Sequence, residues 1–404
     1  MRHLLTLIFL LCSFFLRTLP AQTQSSAAAS TPPLRVGIVG LIHGHVDGFF
    51  HDSFHNPEIQ IVGIAESNQQ LFLRYAKQYG LDRNLRFPSL EEMLQKVHPQ
   101  AVLVYTNTYD HRHVVEVCAR HGVHVMMEKP LAVSLEDARA IQQAAKQGKI
   151  QVVVNYETTW YRSNRAAYDL VRQNGLGDIR KIVVHDGHKG PQEINVAPEF
   201  LAWLADPKLN GAGALFDFGC YGADLATWLM DGRRPDSVTA ITQHIKPDVY
   251  PRVDDEATII LTYPKAQAII QASWNWPFDR KDMEVYGQTG YAITVGRDDI
   301  RVRRKGAEEE QLSAKAISAP NDNSLAYFKA VVNGEIPPEG LSSLETNITV
   351  TEILDSARRS AASGRAIPLS TKGLLPNEWA GFPQILKFPA PQVPYLNLSP
   401  IPER

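Results

Sequence analysis

Cysteine is nearly absent from this chain, with three in 404 residues, and Cys12 lies in the apolar segment at the N-terminus. The other two, Cys118 and Cys220, stand among apolar neighbours, which indicates buried thiols rather than a disulfide pair. We therefore expect no disulfide framework, with oxidation of this pair after export as the alternative. No metal signature is visible either, because the pair His185 and His188 lacks a defined third ligand, and we predict no metal site.

Long apolar runs are missing beyond the N-terminus. Arg2 and His3 precede the run Leu4 to Leu16, and Leu19-Pro20-Ala21 follows it before a polar stretch. This order is typical of a secretory signal peptide, and the run is shorter than the ~20 residues that span a bilayer. We predict that residues 1–21 are removed and that the protein is exported, to the periplasm or outside the cell, without a stable membrane anchor.

An excess of positive charge is also lacking, since 41 Lys and Arg face 43 Asp and Glu. Loss of Arg2 and Arg17 with the signal would leave a net charge of about −4. This balance disfavours a nucleic-acid partner. Hydrophobic residues make up 44% of the sequence, enough to bury two cores in a chain of this length.

Short β-branched runs alternate with capped helical stretches in the first half. The runs are Leu34 to Val39, Ile59 to Ala65, Ala101 to Tyr105, Val123 to Met127 and Gln151 to Val154. Ser67, Ser89 and Ser134 each stand at the start of a predicted helix. Because parallel strands need crossovers, this order predicts a doubly wound parallel sheet of the Rossmann type over residues 33–151.

The alternation of short strands and helices ends after Asn155. A predicted helix near Arg162 to Asn174 is followed there by strands of alternating polarity. Ala266 to Trp276 places small and apolar residues on one face, which predicts an antiparallel strand with one buried face. We predict an α/β domain over 152–369 with a large open, mostly antiparallel sheet that assembles as a homodimer or homotetramer. Residues 370–404 form a proline-rich tail with no predicted regular structure.

A glycine-rich turn follows the first strand, where a dinucleotide fold places its pyrophosphate. Gly40 stands at the tight turn, and the N-terminus of the next helix can bind phosphate. Ile42 and His45 occupy the positions of the second and third glycines, so the match to G-x-G-x-x-G is partial. The alternative is an ordinary strand-to-helix turn.

An acidic residue, Glu66, ends the second strand. Its carboxylate could accept hydrogen bonds from the adenine ribose and would repel a 2′-phosphate, which favours NAD over NADP. The alternative is that Glu66 is an ordinary acidic residue at the N-terminus of the next helix.

Two groups of motifs are similar to those of one family. Glu128-Lys129-Pro130 closes a strand, downstream of Thr106-Asn107-Thr108-Tyr109-Asp110-His111 and His121-Gly122-Val123-His124. Later, Asp217-Phe218-Gly219-Cys220-Tyr221 is similar to a D-x-G-x-H segment with tyrosine in place of histidine. Together they resemble the Gfo/Idh/MocA oxidoreductases, nearest the glucose-fructose oxidoreductase, xylose dehydrogenase and dihydrodiol dehydrogenase branch. The resemblance covers nearly the whole chain up to the tail.

The resemblance implies a nicotinamide-dependent oxidoreductase acting on CH–OH groups of a sugar, polyol or glycoside, with a tightly bound cofactor. It implies cofactor contacts at Gly40, Leu41, Ile42, His43, Glu66, Thr106, Asn107, His111, Glu128 and Lys129.

The chemistry needs a base within hydrogen-bond reach of the substrate hydroxyl, and Tyr221 is the candidate. A phenol titrates near ~10, so we expect the Lys129 ammonium to lower its pKa and to stabilise an alkoxide. The resemblance implies that Asp217 binds a substrate hydroxyl or supports the Lys129–Tyr221 pair. The alternative is that its carboxylate caps a helix. Trp160 stands where the family often has arginine, and Arg162 follows two residues later. We predict that Trp160, Arg162 and His188 contact the substrate.

Two other functions fit the same sequence. One is a glycoside-cleaving enzyme in which bound NAD transiently oxidises the sugar. The other is a non-catalytic carbohydrate-binding protein that keeps the fold, which the altered loop at Ile42 motivates.

Overall fold

The structure is a computed structural model that describes residues 32–369. The predicted signal peptide at 1–21 and the proline-rich tail at 370–404 lie outside the described residues. Among the described residues, no helix is long and apolar enough to cross a membrane.

The first half of the chain forms a parallel six-stranded sheet in the order β3-β2-β1-β4-β5-β6. Its strands are β1 (Leu34–Val39), β2 (Ile59–Ala65), β3 (Arg86–Phe87), β4 (Ala101–Val104), β5 (His124–Glu128) and β6 (Val152–Asn155). Its helices are α1 (His45–Asp52), α2 (Gln69–Tyr79), α3 (Leu90–Val97), α4 (His111–His121) and α5 (Leu135–Gly148). This order is that of a doubly wound fold, so the fold prediction is confirmed. The sheet continues through Asn155, beyond the predicted domain boundary at residue 151.

Two of the three predicted helix caps are present. The Ser89 and Ser134 hydroxyls accept hydrogen bonds from the amides of Glu92 and Asp137. The prediction for Ser67 was wrong, because the side chain of Asn68 caps α2 instead. Asn and Ser serve equally well at this position, so the sequence does not decide between adjacent candidates.

The second half forms a nine-stranded sheet in the order β14-β13-β12-β11-β7-β10-β9-β8-β15. Its strands are β7 (Ile179–Gly187), β8 (Ser237–Gln243), β9 (Glu256–Thr262), β10 (Gln267–Ser273), β11 (Arg280–Gly287), β12 (Gly290–Val295), β13 (Asp299–Arg304), β14 (Glu310–Ser313) and β15 (Ile367–Pro368). Its helices are α6 (Arg162–Arg172), α7 (Pro198–Leu204), α8 (Pro207–Asn210), α9 (Ala214–Asp217), α10 (Gly219–Leu229), α11 (Ser324–Val332) and α12 (Leu344–Ser363).

Strand β10 has the predicted buried face, with Ala268, Ile270 and Ala272 inaccessible to solvent. Its pairing differs from the prediction on one side. It runs antiparallel to β9 but parallel to β7. Alternating polarity reports which face of a strand is buried and carries no information about the direction of its neighbours.

The C-terminal helices connect the two halves. Helices α10 and α12 pack on the nine-stranded sheet, and α12 also contacts α5 and β6. Helix α11 returns to the first half, where Leu325, Phe328 and Val331 join the core that contains Leu34 and Ile38. Helices of the second half therefore pack against both the sheet and the core of the first half.

Candidate active site

The turn between β1 and α1 lies at the carboxyl edge of the first sheet, where β1 and β4 are neighbours and the strand order reverses. Gly40 has φ +78°, and a Cβ atom there would lie 2.8 Å from Cγ2 of Thr106. Only glycine fits this backbone without strain. The turn has the geometry that the sequence predicted for a dinucleotide fold.

Most amides of this turn are already bonded within the protein. The Leu41 N–H donates to Glu66 (2.9 Å) and the His45 N–H donates to Nδ1 of His43 (3.2 Å). The Ile42 and Gly44 amides make no hydrogen bond with any described residue. These two amides are the ones free to bind a phosphate oxygen.

Glu66 connects this turn to the start of α2 through hydrogen bonds. Its carboxylate accepts hydrogen bonds from the amides of Leu41 (2.9 Å) and Asn68 (2.7 Å). Burial raises the pKa of Glu66, and these amides oppose the shift. The helix-start alternative is therefore present in the structure, while the ribose contact stays a prediction.

Helix α7 of the second half covers the turn. The indole N–H of Trp203 donates to the carbonyl of Ile42 (3.1 Å). The rings of Phe200 and Trp203 lie 4.8 and 5.4 Å from His43, and a Cβ on Gly44 would meet Phe200 at 2.6 Å. The contact with Phe200 explains the small residue at position 44, whereas the bond from Trp203 is made to the main chain of Ile42.

His43, His45 and Glu128 form a cluster that sequence spacing did not show, with one potential metal-ligand atom on each lying within 4.8 Å of the others. Glu128 bonds Nδ1 of His45 (2.8 Å) and the amide of Asn155 (3.1 Å). Burial opposes the charge of Glu128, but His45, Asn155 and Lys129 together lower its pKa. Burial lowers the pKa of His43, so that ring is neutral. Hydrogen bonds therefore satisfy Glu128 within the protein.

The segment after β4 supplies two buried groups without partners. Nδ1 of His111 lies 3.1 Å from the carbonyl of Pro130, and burial lowers the pKa of His111 to about 4. Nε2 of His111 and Oγ1 of Thr108 have no hydrogen-bond partner among the described residues. The side chain of Asn107 donates to Asp110 (2.7 Å) and accepts from its amide.

Lys129 and Asp217 form a buried ion pair, with Nζ 2.5 Å from Oδ1. Nζ also donates to the Asp217 carbonyl (2.9 Å), and the Trp274 indole donates to Oδ2 of Asp217 (2.9 Å). Burial opposes both charges, but each partner outweighs it, so the pKa of Lys129 is raised and that of Asp217 is lowered. Asp217 thus holds Lys129 as a cation and does not cap a helix.

Tyr221 lies between two ammonium groups. Nζ of Lys129 is 5.0 Å from the centre of its ring, and Nζ of Lys281 is 4.9 Å away. Burial raises the pKa of Tyr221 well above its ordinary value. The predicted lowering of this pKa by Lys129 was therefore wrong for the described state, because the ammonium faces the ring and is neutralised by Asp217. Tyr221 is a neutral phenol.

Lys281 and Glu157 are site residues that sequence reasoning missed. They form an ion pair, and the Tyr161 hydroxyl donates to Glu157 (2.7 Å). Burial opposes the charge of Glu157, but Lys281 lowers its pKa to about 2. Neither residue belongs to a local motif, and β11 brings them together across 124 positions. No signal in the sequence marked them.

One cavity of about 560 Å³ collects the central residues of this site. Its lining includes Lys129, Asp217, Tyr221, Lys281, His45 and His188. His188 accepts a hydrogen bond from the Gly190 amide (2.9 Å), and its ring meets Phe218 edge-on. The prediction that Lys129 and Tyr221 share one site agrees with this arrangement.

Trp160 and Arg162 do not line this cavity, which corrects their prediction as substrate contacts. The 3-10 turn Glu157–Trp160 directs Trp160 toward Tyr327, 5.7 Å between ring centres. Arg162 pairs with Asp298 (3.2 Å). His185 faces Asp282 (2.9 Å) on the other side of the sheet.

Comparison with known proteins decides the family. Residues 34–156 match the model described as an oxidoreductase family with an NAD-binding Rossmann fold, and residues 164–293 match the GFO/IDH/MocA C-terminal domain. The chain belongs to the Gfo/Idh/MocA oxidoreductase family. The resemblance predicted from the sequence motifs is confirmed.

Characterised relatives are distant. A trans-1,2-dihydrobenzene-1,2-diol dehydrogenase of Xenopus laevis is 27% identical over 53% of this chain, which spans 61% of that enzyme's length. A 1,5-anhydro-D-fructose reductase of Ensifer adhaerens is 24% identical over 77% of this chain and 92% of its own.

Solved structures share the fold. Aldose-aldose oxidoreductase of Caulobacter crescentus, complexed with glycerol, superposes with a TM-score of 0.72 at 20% identity, over 83% of this chain and all of that one. An inositol dehydrogenase homolog of Azotobacter vinelandii, complexed with NAD+, gives 0.72 at 18% identity, over 84% and 98%.

The residues present fit the cofactor of this Gfo/Idh/MocA domain. The turn at Gly40 leaves no room for a side chain, and the Ile42 and Gly44 amides are free to donate. Thr108 and His111 add a buried donor and a buried acceptor that lack partners among the described residues. Buried polar groups without partners are costly, which favours a ligand that would satisfy them.

Proposed function

We propose that this protein is an exported, nicotinamide-dependent oxidoreductase that interconverts an alcohol and a carbonyl on a sugar, polyol or glycoside. The observation that carries the proposal is one cavity that contains the Lys129–Asp217 ion pair and the neutral phenol of Tyr221 beside the Gly40 turn.

Proton transfer is assigned to Tyr221. Its raised pKa keeps the proton on the phenol, so in the described state Tyr221 donates a proton to a carbonyl oxygen that is becoming an alcohol. The Lys129 ammonium, held by Asp217, stabilises negative charge on that oxygen. This protonation state suits reduction of a carbonyl. Oxidation of an alcohol would first require a phenolate.

When bound, the nicotinamide ring supplies or accepts the hydride. The Ile42 and Gly44 amides and the N-terminus of α1 would hold its diphosphate. Glu66 at the end of β2 supports NAD over NADP, since a carboxylate repels a 2′-phosphate. Retention of the cofactor between turnovers would let the enzyme work after export, where free NAD is not supplied.

The substrate class rests on the relatives and on the cavity. The similar proteins include a 1,5-anhydro-D-fructose reductase and an aldose-aldose oxidoreductase. Lys281, His188 and Asp217 provide polar contacts for several hydroxyl groups. A small carbohydrate-like substrate fits these features.

The open face of the nine-stranded sheet supports assembly into a homodimer or homotetramer. Val183, Ile269 and Ile260 form a row across β7, β10 and β9, and all three are only half-buried in the single chain. A second copy covering this row would remove apolar surface from water. Light scattering of the purified protein tests this assembly.

A second candidate is a non-catalytic saccharide-binding protein. It is favoured by the internal bond from the His45 amide to His43 and by the cover of Trp203 over Ile42, both of which reduce the space for a diphosphate. The two candidates differ in whether the protein holds a nucleotide.

Mass spectrometry of the purified protein after denaturation separates these candidates. The oxidoreductase proposal expects NAD or NADH in the released fraction, or binding of added NADH by calorimetry. It also expects NADH oxidation with 1,5-anhydro-D-fructose or an aldose, strongly reduced in Tyr221→Phe and unchanged in Tyr286→Phe, whose hydroxyl instead bonds Glu284. Net glycoside hydrolysis without NADH accumulation would favour the glycoside-cleaving alternative. Absence of any nucleotide binding would leave the saccharide-binding protein.

A further inference from the structure

A second cavity, of about 520 Å³, lies apart from the candidate active site. It is bounded by the turn before α6, the end of α10 and the segment between α11 and α12, and no residue lines both cavities. Its volume falls in the range of small-molecule sites. It is independent of the proposed function.

Aromatic rings form much of its wall. Trp160 and Tyr327 meet edge-on at 5.7 Å, and Trp228 is stacked parallel on Tyr168 at 3.8 Å. These contacts fix the rings in place before any ligand arrives. Aromatic faces carry partial negative charge and attract the polarised C–H groups of a ligand.

Two buried hydroxyl groups at this cavity have no partner. Oγ of Ser342, on a residue only 1% exposed, and Oγ1 of Thr159 make no hydrogen bond with any described residue. The indole N–H of Trp228 also donates to none of the described residues, and it lies beside Gly340, where a Cβ would come within 3.3 Å. Buried hydroxyls are costly unless a ligand or water satisfies them.

We infer that this cavity is a second binding site and that its ligand is a neutral saccharide. A sugar ring combines C–H faces, which suit the aromatic wall, with hydroxyls that can both donate to and accept from Ser342 and Thr159. A purely apolar ligand would leave those hydroxyls unsatisfied. An anionic ligand would be repelled by Asp231 and Glu339 at this cavity, while Arg165, which also lines it, is already paired with Asp169 (2.8 Å).

The cavity is linked to the active site by one hydrogen-bonded path. The Trp160 indole donates to Asn155 (3.1 Å), whose amide donates to Glu128 (3.1 Å), and Glu128 bonds His45 (2.8 Å). His45 lines the active-site cavity. Trp160 therefore lines the second cavity and is connected to the first through Asn155, Glu128 and His45.

Fluorine NMR of full-length protein labelled with 5-fluorotryptophan tests the inference without an activity assay. Substitutions Trp160→Phe and Trp228→Phe assign the two resonances. D-Glucose, D-xylose and cellobiose are each titrated separately. We expect at least one of them to shift the Trp228 and Trp160 resonances saturably, and to do so equally in Lys129→Met, which removes the active-site ammonium and whose folding is checked by circular dichroism.

Two serine-to-alanine variants test whether the sugar contacts Ser342. Ser342→Ala should weaken this binding about 3–10-fold, as expected for one lost hydrogen bond. Ser363→Ala is the control, because its hydroxyl bonds only the main chain of α12 and should leave affinity unchanged. If none of the three sugars moves either resonance, the inference is overturned. It is also overturned if the shifts vanish in a folded Lys129→Met variant, since the sugar would then occupy the first cavity alone.

Discussion

Replacing Asp217 by Asn should destabilise the protein because it leaves Lys129 buried without its counter-charge. The two side chains are 8% and 6% exposed, and Nζ lies 2.5 Å from the carboxylate. Loss of one partner from a buried pair costs about 3–5 kcal/mol. We expect the lower end, near ~3 kcal/mol, because the Asp217 carbonyl still accepts from Lys129 at 2.9 Å.

The cost should depend on pH in a defined way. In the native pair the pKa of Asp217 is lowered and that of Lys129 is raised, so the pair stabilises fully between the ordinary values 3.8 and 10.5. This stability is lost as pH falls through the lowered pKa or rises through the raised one. In Asp217→Asn, burial should lower the pKa of Lys129. The penalty should then shrink as pH rises from neutral toward 10.5.

Urea unfolding followed by circular dichroism, at neutral and alkaline pH, measures this cost. Lys129→Met and the double variant complete a cycle, and the double variant should lose less stability than the sum of the single losses. Glu92→Gln breaks the exposed pair with Lys96 and should change stability by at most ~0.5 kcal/mol. A loss below ~1 kcal/mol for Asp217→Asn at pH 7, or additive single effects, would refute the account of this pair.

Other expectations concern glycines and thiols. Gly40→Ala should weaken nucleotide binding measured by calorimetry and cost at least ~1–2 kcal/mol, because a left-handed φ and a clash coincide there. Gly48→Ala in α1 meets nothing within 4 Å and should stabilise by up to ~1 kcal/mol. Cys118 and Cys220 should resist iodoacetamide at pH 8 in the folded protein and react after unfolding, as mass spectrometry would show. Burial raises the pKa of both, that of Cys118 to about 12. Rapid alkylation of native protein would contradict this burial.

The sequence was sufficient to predict those features that depend on the residues of one continuous segment. The bounds of β1 and β2 follow from runs rich in Val, Ile and Leu, because a sheet covered on both faces buries most side chains of its strands. The turn at Gly40 and the meeting of Lys129 with Tyr221 could also be predicted, from strand order and family resemblance.

Long-range electrostatics could not be predicted in the same way. From the sequence we expected Lys129 to lower the pKa of Tyr221. In the structure Lys129 is instead paired with Asp217, and burial keeps Tyr221 protonated. The pair Glu157 and Lys281 was missed because distant elements create it. The prediction of Trp160 as a substrate contact was wrong because packing against Tyr327 sets the direction of this side chain in the short 3-10 turn.

Transfer of deuterium from NADH that carries deuterium at both C4 positions of the nicotinamide to a carbonyl substrate tests the central claim most directly. Product analysis should find the label on the former carbonyl carbon. The transfer rate should fall at least ~100-fold in Tyr221→Phe while the affinity for NADH stays the same, because a general acid is lost and the fold is kept. Unlabelled product from the native protein, or full transfer in Tyr221→Phe, would contradict the assignment.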